Sequence, residues 1–147
     1  MTRKVFFSFE YSDVWRANVV RKSWVAIGRE AAGFIDAAEI ETIRRRGDDA
    51  IRRWIDTQMA GTSVTVVLVG AETCKSKWVK YEVERTISLG KGLLQVNISM
   101  IKDQYGKTSN FCGGVVPSGY MSYLWFKGDG NKNLGSWIEL AAQAAGR

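Results

Sequence analysis

One stretch of the chain combines residue types and spacing into candidate chemistry: Val69-Gly-Ala-Glu-Thr-Cys-Lys-Ser-Lys-Trp-Val-Lys-Tyr-Glu82. It reads as the end of a strand, a short polar loop, and a helix with Ser76 as its N-cap. Trp78 and Glu82 are four residues apart and therefore share one face of that helix. Val79, Val83 and Ile87 form a second stripe, the one expected to pack on a sheet. A carboxylate held at the rim of a cleft beside an aromatic wall can stabilise a cation that develops during a reaction. The same residues also have a plain structural reading, in which Trp78 packs on the sheet and Glu82 pairs with Arg85. The W-x-x-x-E spacing does not decide between them.

Much other chemistry is removed by composition. The chain has no histidine, which excludes Ser–His–Asp and Cys–His nucleophile pairs, H-E-x-x-H zinc sites and histidine general bases. Its two cysteines, Cys74 and Cys112, give neither a disulfide framework nor a metal-ligand cluster, so reduced thiols in a cytoplasmic protein are expected. No apolar run reaches the roughly 18 residues of a membrane span, and the run after Arg3-Lys4 stops at Glu10, too short for a secretory segment. Net charge is +6, compatible with an anionic partner. The basic run Arg44-Arg45-Arg46 with Arg52-Arg53 reads as a solvated helix face, diluted by Asp48, Asp49 and Asp56.

The elements that must position these residues follow from hydrophobic period. Val5–Phe9, Val64–Val69 and Leu93–Ile98 are short, nearly continuous apolar runs, as expected of strands covered on both faces. Gly33-Phe34-Ile35 is expected to add another. Val14–Val25, behind Ser12 and Asp13, reads as a helix, as do Ile51, Trp54, Ile55 and Met59 at helical spacing. The order β-α-β-α-β-α-β predicts an α/β class: an open, doubly wound, mostly parallel sheet with helices on both faces. Ligands of such sheets bind beyond the carboxyl ends of the strands, which places the functional surface at residues 8–13, 36–41 and 70–78. Residues 103–120 read as a long loop, Tyr123–Phe126 as a final strand and Leu134–Ala145 as a final helix. The whole chain, 1–147, is expected to be one domain with its core in residues 4–99.

At this point the chain resembles the TIR superfamily, a flavodoxin-like fold, and most closely the TIR-like (ThsB-type) subunits of Thoeris antiphage systems. Val5-Phe-Phe-Ser-Phe9 is similar to the first TIR strand, and Gly33-Phe-Ile-Asp36 to the second strand with its following Asp. Val66–Gly70, Thr73 and Ser76-x-Trp78-Val79-x-x-Glu82 resemble the third strand and the helix bearing the catalytic glutamate of NAD-consuming members. The Thoeris-like character rests on Phe7-Ser-Phe-x-Tyr11-x-Asp13 and Ala31-Ala-Gly-Phe-x-Asp-Ala37. One departure is the pair Glu10-Tyr11, where animal NAD-cleaving members often carry basic residues.

The resemblance implies cleavage of the nicotinamide–ribose bond of NAD, with Glu82 as the catalytic carboxylate. Ser8, Phe9, Tyr11, Asp36, Thr73 and Trp78 are the implied substrate-binding positions; Ser8, Asp36 and Thr73 have an equal reading as turn and cap residues. No metal and no cofactor is implied, since NAD enters as the substrate. Implied partners are an effector protein activated by a cyclic ADP-ribose-type product, with self-association or a phage-derived trigger also in view. A membrane or nucleic-acid partner is not expected. Three other readings stand beside this one: a catalytically silent TIR adaptor, a flavodoxin or receiver domain, and a nucleic-acid binder resting on charge alone. The third strand ends Val69-Gly70 without a phosphoacceptor Asp, and residues 10–13 lack the glycines of a flavin phosphate loop.

Overall fold

The computed structural model describes residues 3–26, 29–34 and 37–147. Its apolar runs form a five-stranded, fully parallel sheet in the order β2-β1-β3-β4-β5, as the α/β reading requires. The strands are β1 (Val5–Phe9), β2 (Ala31–Ala32), β3 (Val64–Val69), β4 (Gly92–Asn97) and β5 (Met121–Leu124). The helices are α1 (Val14–Val25), α2 (Ala37–Arg45), α3 (Asp48–Met59), α4 (Lys77–Ser88) and α5 (Gly130–Ala144). No described helix is long and apolar enough to cross a membrane.

Strand alternation assigns each side chain to a face. Val5 and Phe7 of β1, with Val66, Leu68, Leu94 and Val96, meet Ala17, Val20 and Trp24 of α1 and Leu134, Trp137 and Ile138 of α5. The opposite face packs Phe6 on Ile55 and Met59 of α3, and Val67, Val69 and Leu93 on Val79 and Val83 of α4. Phe6, Phe7, Leu68 and Leu94 are fully buried, each contributing about 1.5–3 kcal/mol relative to exposure. This is why the strands lack polar alternation.

Several local expectations change. The second strand is Ala31–Ala32 rather than Gly33–Ile35. Gly33 has φ +92°, and a Cβ there would collide with the Phe7 carbonyl, so the chain turns away at the point of closest approach to β1. Ile35 and Asp36 lie outside the described residues. Asp13 makes no capping hydrogen bond to α1. Instead, residues 11–13 form a single 3-10 turn capped by the Glu10 carboxylate, which accepts from the Ser12 N–H at 2.6 Å. The last strand lies two residues earlier than Tyr123–Phe126, and α5 begins at Gly130 rather than Leu134. Gly47, at φ +93°, separates α2 from α3, so the basic run is split between two helices.

The cysteines also depart from expectation. Cys74 and Cys112 are joined in a disulfide, with Cα atoms 6.0 Å apart. It fastens the turn after β3 to the long loop of residues 98–120, which contains no helix or strand. Thirty-eight residues of sequence separate the two, so spacing alone carried no sign of the contact.

Candidate active site

The site begins where β1 and α4 touch. Ser8 follows Phe7 on β1 and therefore faces α4, opposite the α1–α5 layer. Ser76 starts α4 as expected: its hydroxyl accepts from the Val79 N–H at 3.2 Å. From that start, Val79 and Val83 anchor the helix on β3 and β4, and Glu82 is turned toward β1. Ile87, the third residue of the stripe, is 37% exposed and stands outside this apolar contact.

The Ser8 hydroxyl donates to Glu82 Oε1 at 2.7 Å, with both side chains buried. One turn along, Thr86 donates to the Glu82 carbonyl at 2.7 Å, and its hydroxyl lies 2.7 Å from that of Thr65 on β3. A polar seam thus runs beneath α4 within an otherwise apolar contact. Arg85 turns outward and donates to Asp56 of α3 at 3.3 Å, alongside a 3.0 Å hydrogen bond from the Tyr81 hydroxyl. The pairing of Glu82 with Arg85 is therefore replaced by an α3–α4 tie, and among the described residues no cation pairs with Glu82.

Burial dominates the electrostatics of this carboxyl. Glu82 is pushed up to about 8 because the charged form loses its water, while the Ser8 hydrogen bond pulls the other way. A buried carboxyl without a charge partner at the wall of a cleft has the properties expected of a functional group.

That cleft has a cavity volume of about 90 Å³ and continues into space open to solvent. It opens beyond the carboxyl end of β1, beside the β1/β3 point where the strand order reverses. Glu82 and Trp78 line it from α4, Phe9 and Tyr11 from the end of β1, and Trp54 from α3. Ser8 stands behind Glu82 rather than on the cleft wall. Thr73 is fully buried and its hydroxyl accepts from the Gly70 N–H at 2.8 Å, a turn-closing contact away from the lining. Asp36 lies outside the described residues. The Trp78 ring has the Tyr81 ring edge-on at 6.0 Å and the Lys77 ammonium at 4.8 Å.

Sequence reasoning missed the far wall. Ile40, Ile43 and Arg44 of α2 and Ile51, Trp54 and Ile55 of α3 complete the cleft. The i, i+3, i+4 spacing of Ile40, Ile43 and Arg44 was the available signal. The described residues hold no group of His, Cys, Asp and Glu able to bind a metal.

Residues 6–103 fit the family described as Thoeris protein ThsB, TIR-like domain. The chain belongs to this family. The ThsB TIR-like match includes β1 from Phe6, the whole cleft wall and α4, and ends shortly after β4. A Bacillus cereus (strain MSX-D12) protein named "Putative cyclic ADP-D-ribose synthase ThsB1" is 36% identical over 140 residues, covering 93% of this ThsB-family chain and 72% of the relative.

Proposed function

We propose that this ThsB-family chain cleaves the nicotinamide–ribose bond of NAD and forms a cyclic ADP-ribose-type signal in Thoeris antiphage defence. The observation that carries the reading is a buried carboxyl, Glu82, with no cation beside it among the described residues, lining a cleft at the switch point of the sheet. The name of the Bacillus cereus relative supports the same product class.

The chemistry suits a single carboxylate. Nicotinamide is cationic in NAD and departs neutral, so its departure requires no proton and no second carboxyl acting as acid, unlike an ordinary glycosidase. Positive charge passes to the ribose ring as the C–N bond breaks. Glu82 as an anion stabilises that charge in a site from which water is largely excluded. The cationic ligand itself favours the ionised form, so occupancy of the cleft lowers the protonation of Glu82. Ser8 holds Oε1 and thereby fixes the direction in which the carboxylate points. Trp78 and Phe9 offer aromatic surface to the nicotinamide or adenine ring.

An internal nucleophile of the ADP-ribosyl unit closes the cyclic product; water in its place gives ADP-ribose, a hydrolase outcome. The product acts on a separate effector protein, and self-association or a phage-derived factor raises the activity. Mass spectrometry of NAD incubated with purified protein, with and without lysate from infected cells, tests the reading. Nicotinamide together with a cyclic isomer of ADP-ribose is expected. Intact NAD in every condition would leave the chain as a TIR adaptor.

A further inference from the structure

Glu82 accounts for the cationic end of a dinucleotide, but the diphosphate still needs a partner. The first loop brings no cation to it: Glu10 stands at the cleft wall with its carboxylate held by Ser12. Two carboxylates therefore face a ligand that carries two phosphate charges, a repulsive arrangement unless a cation offsets it. Among the described residues, one cation lines the cleft, and it is Arg44.

The placement follows from the helical period. Ile40, Ile43 and Arg44 share one face of α2, and all three line the cleft. Two of the neighbouring arginines have partners of their own. Arg45 lies 3.9 Å from Glu41 on the outer face, and Arg52 donates to Asp49 at 3.0 Å while its guanidinium sits 5.7 Å from the Trp78 ring. Among the described residues Arg44 has no ion pair, and it reaches the cleft from α2, with α3 between it and the helix that bears Glu82. A guanidinium presents a planar fork of donors that matches phosphate oxygens.

We propose that Arg44 is the diphosphate-binding residue of the cleft, and that Arg44 and Glu82 together set the direction in which the dinucleotide lies. The inference rests on the NAD-cleaving reading and assigns the anionic end of the same ligand. The nicotinamide ribosyl end is drawn toward Glu82, and the diphosphate toward α2.

Calorimetric titration with ADP-ribose and with adenosine tests it without requiring turnover. Wild type is expected to bind ADP-ribose more tightly than adenosine. Arg44→Gln weakens ADP-ribose binding about tenfold, the scale of one charge-assisted hydrogen bond at a partly exposed site, and leaves adenosine binding unchanged. Arg44→Lys recovers part of the loss, and Arg45→Gln behaves as wild type. Equal ADP-ribose affinity in wild type and Arg44→Gln overturns the proposal, as does an equal loss for adenosine or no binding of ADP-ribose by wild type. Nicotinamide release from NAD by wild type is a separate readout. Arg44-dependent ADP-ribose binding without that release supports the diphosphate site and counts against the reaction.

Discussion

Ser8 and Glu82 are 74 residues apart in sequence, yet the Ser8 hydroxyl donates to Glu82 Oε1 at 2.7 Å inside the contact between β1 and α4. The bond opposes the desolvation of a buried carboxyl. It also fixes one carboxyl oxygen and leaves the other as the edge available to a ligand. Ser8 thus bears on both the protonation and the direction of the group, while burial and the packing of α4 set the rest.

Removing that hydroxyl changes the titration before it changes the fold. In Ser8→Ala, burial remains and the lowering influence is lost, so the Glu82 carboxyl titrates above its wild-type value of about 8. The rising limb of kcat/KM against pH is expected to move to higher pH, and the rate at neutral pH to fall about tenfold. The full pH–rate profile of both proteins measures it. An unchanged profile would remove Ser8 from this role.

Stability carries the same signature. A carboxyl whose folded pKa is raised holds its proton in the native state above the pH at which the unfolded chain releases it. Between the ordinary value of 4.5 and about 8, the native state binds more protons, so stability falls as pH rises through this window. Glu82→Gln removes the ionisation and retains an acceptor for Ser8. Relative to wild type, it is expected to gain on the order of a few kcal/mol by pH 8–9, with no such gain near pH 4. Urea unfolding at the two pH values reads the difference.

Gly70 marks a close approach at the carboxyl edge of the sheet. A Cβ there would collide with the Asp13 carboxylate, which is buried and held by Arg16 at 3.2 Å. Arg16 in turn donates to the carbonyls of Ile101 at 2.7 Å and Lys107 at 2.8 Å. Gly70→Ala is therefore expected to cost about 1–3 kcal/mol through overpacking. Chemical denaturation measures the loss.

The disulfide makes a further prediction. Cys74 and Cys112 close a segment with a separation of 38 residues, for which loop-closure entropy gives roughly 4 kcal/mol and measured bridges commonly about 2–4. Cys112→Ser, or reduction of wild type, should lower the unfolding free energy by that amount. Thiol titration of the unfolded, unreduced protein should find no free cysteine.

The parallel sheet was legible because buried strands are written as nearly continuous apolar runs, and Val5–Phe9 and Val64–Val69 match to the residue. Ser76 likewise announced α4, because a helix N-cap is a local chemical requirement. The cleft's far wall was harder. Ile40, Ile43 and Arg44 lie in a short helix whose period spans little more than two turns, and the arginine run around it suggested solvent. Ser8 sat inside a strand as an apparent exception to apolar burial. Its partner lies in another element, and no local pattern encodes a contact of that separation. The same holds for Cys74 and Cys112, whose pairing depends on where the long loop returns across the sheet edge.

The measurement that bears most directly on the account is NAD turnover by Glu82→Gln, with nicotinamide release followed at fixed pH and folding checked by circular dichroism. The variant keeps the shape of the side chain and the bond to Ser8 but cannot carry the negative charge. A drop of about 10²–10³-fold in rate with intact folding is predicted, from what preorganised electrostatic groups typically contribute. Nicotinamide release at the wild-type rate would contradict it.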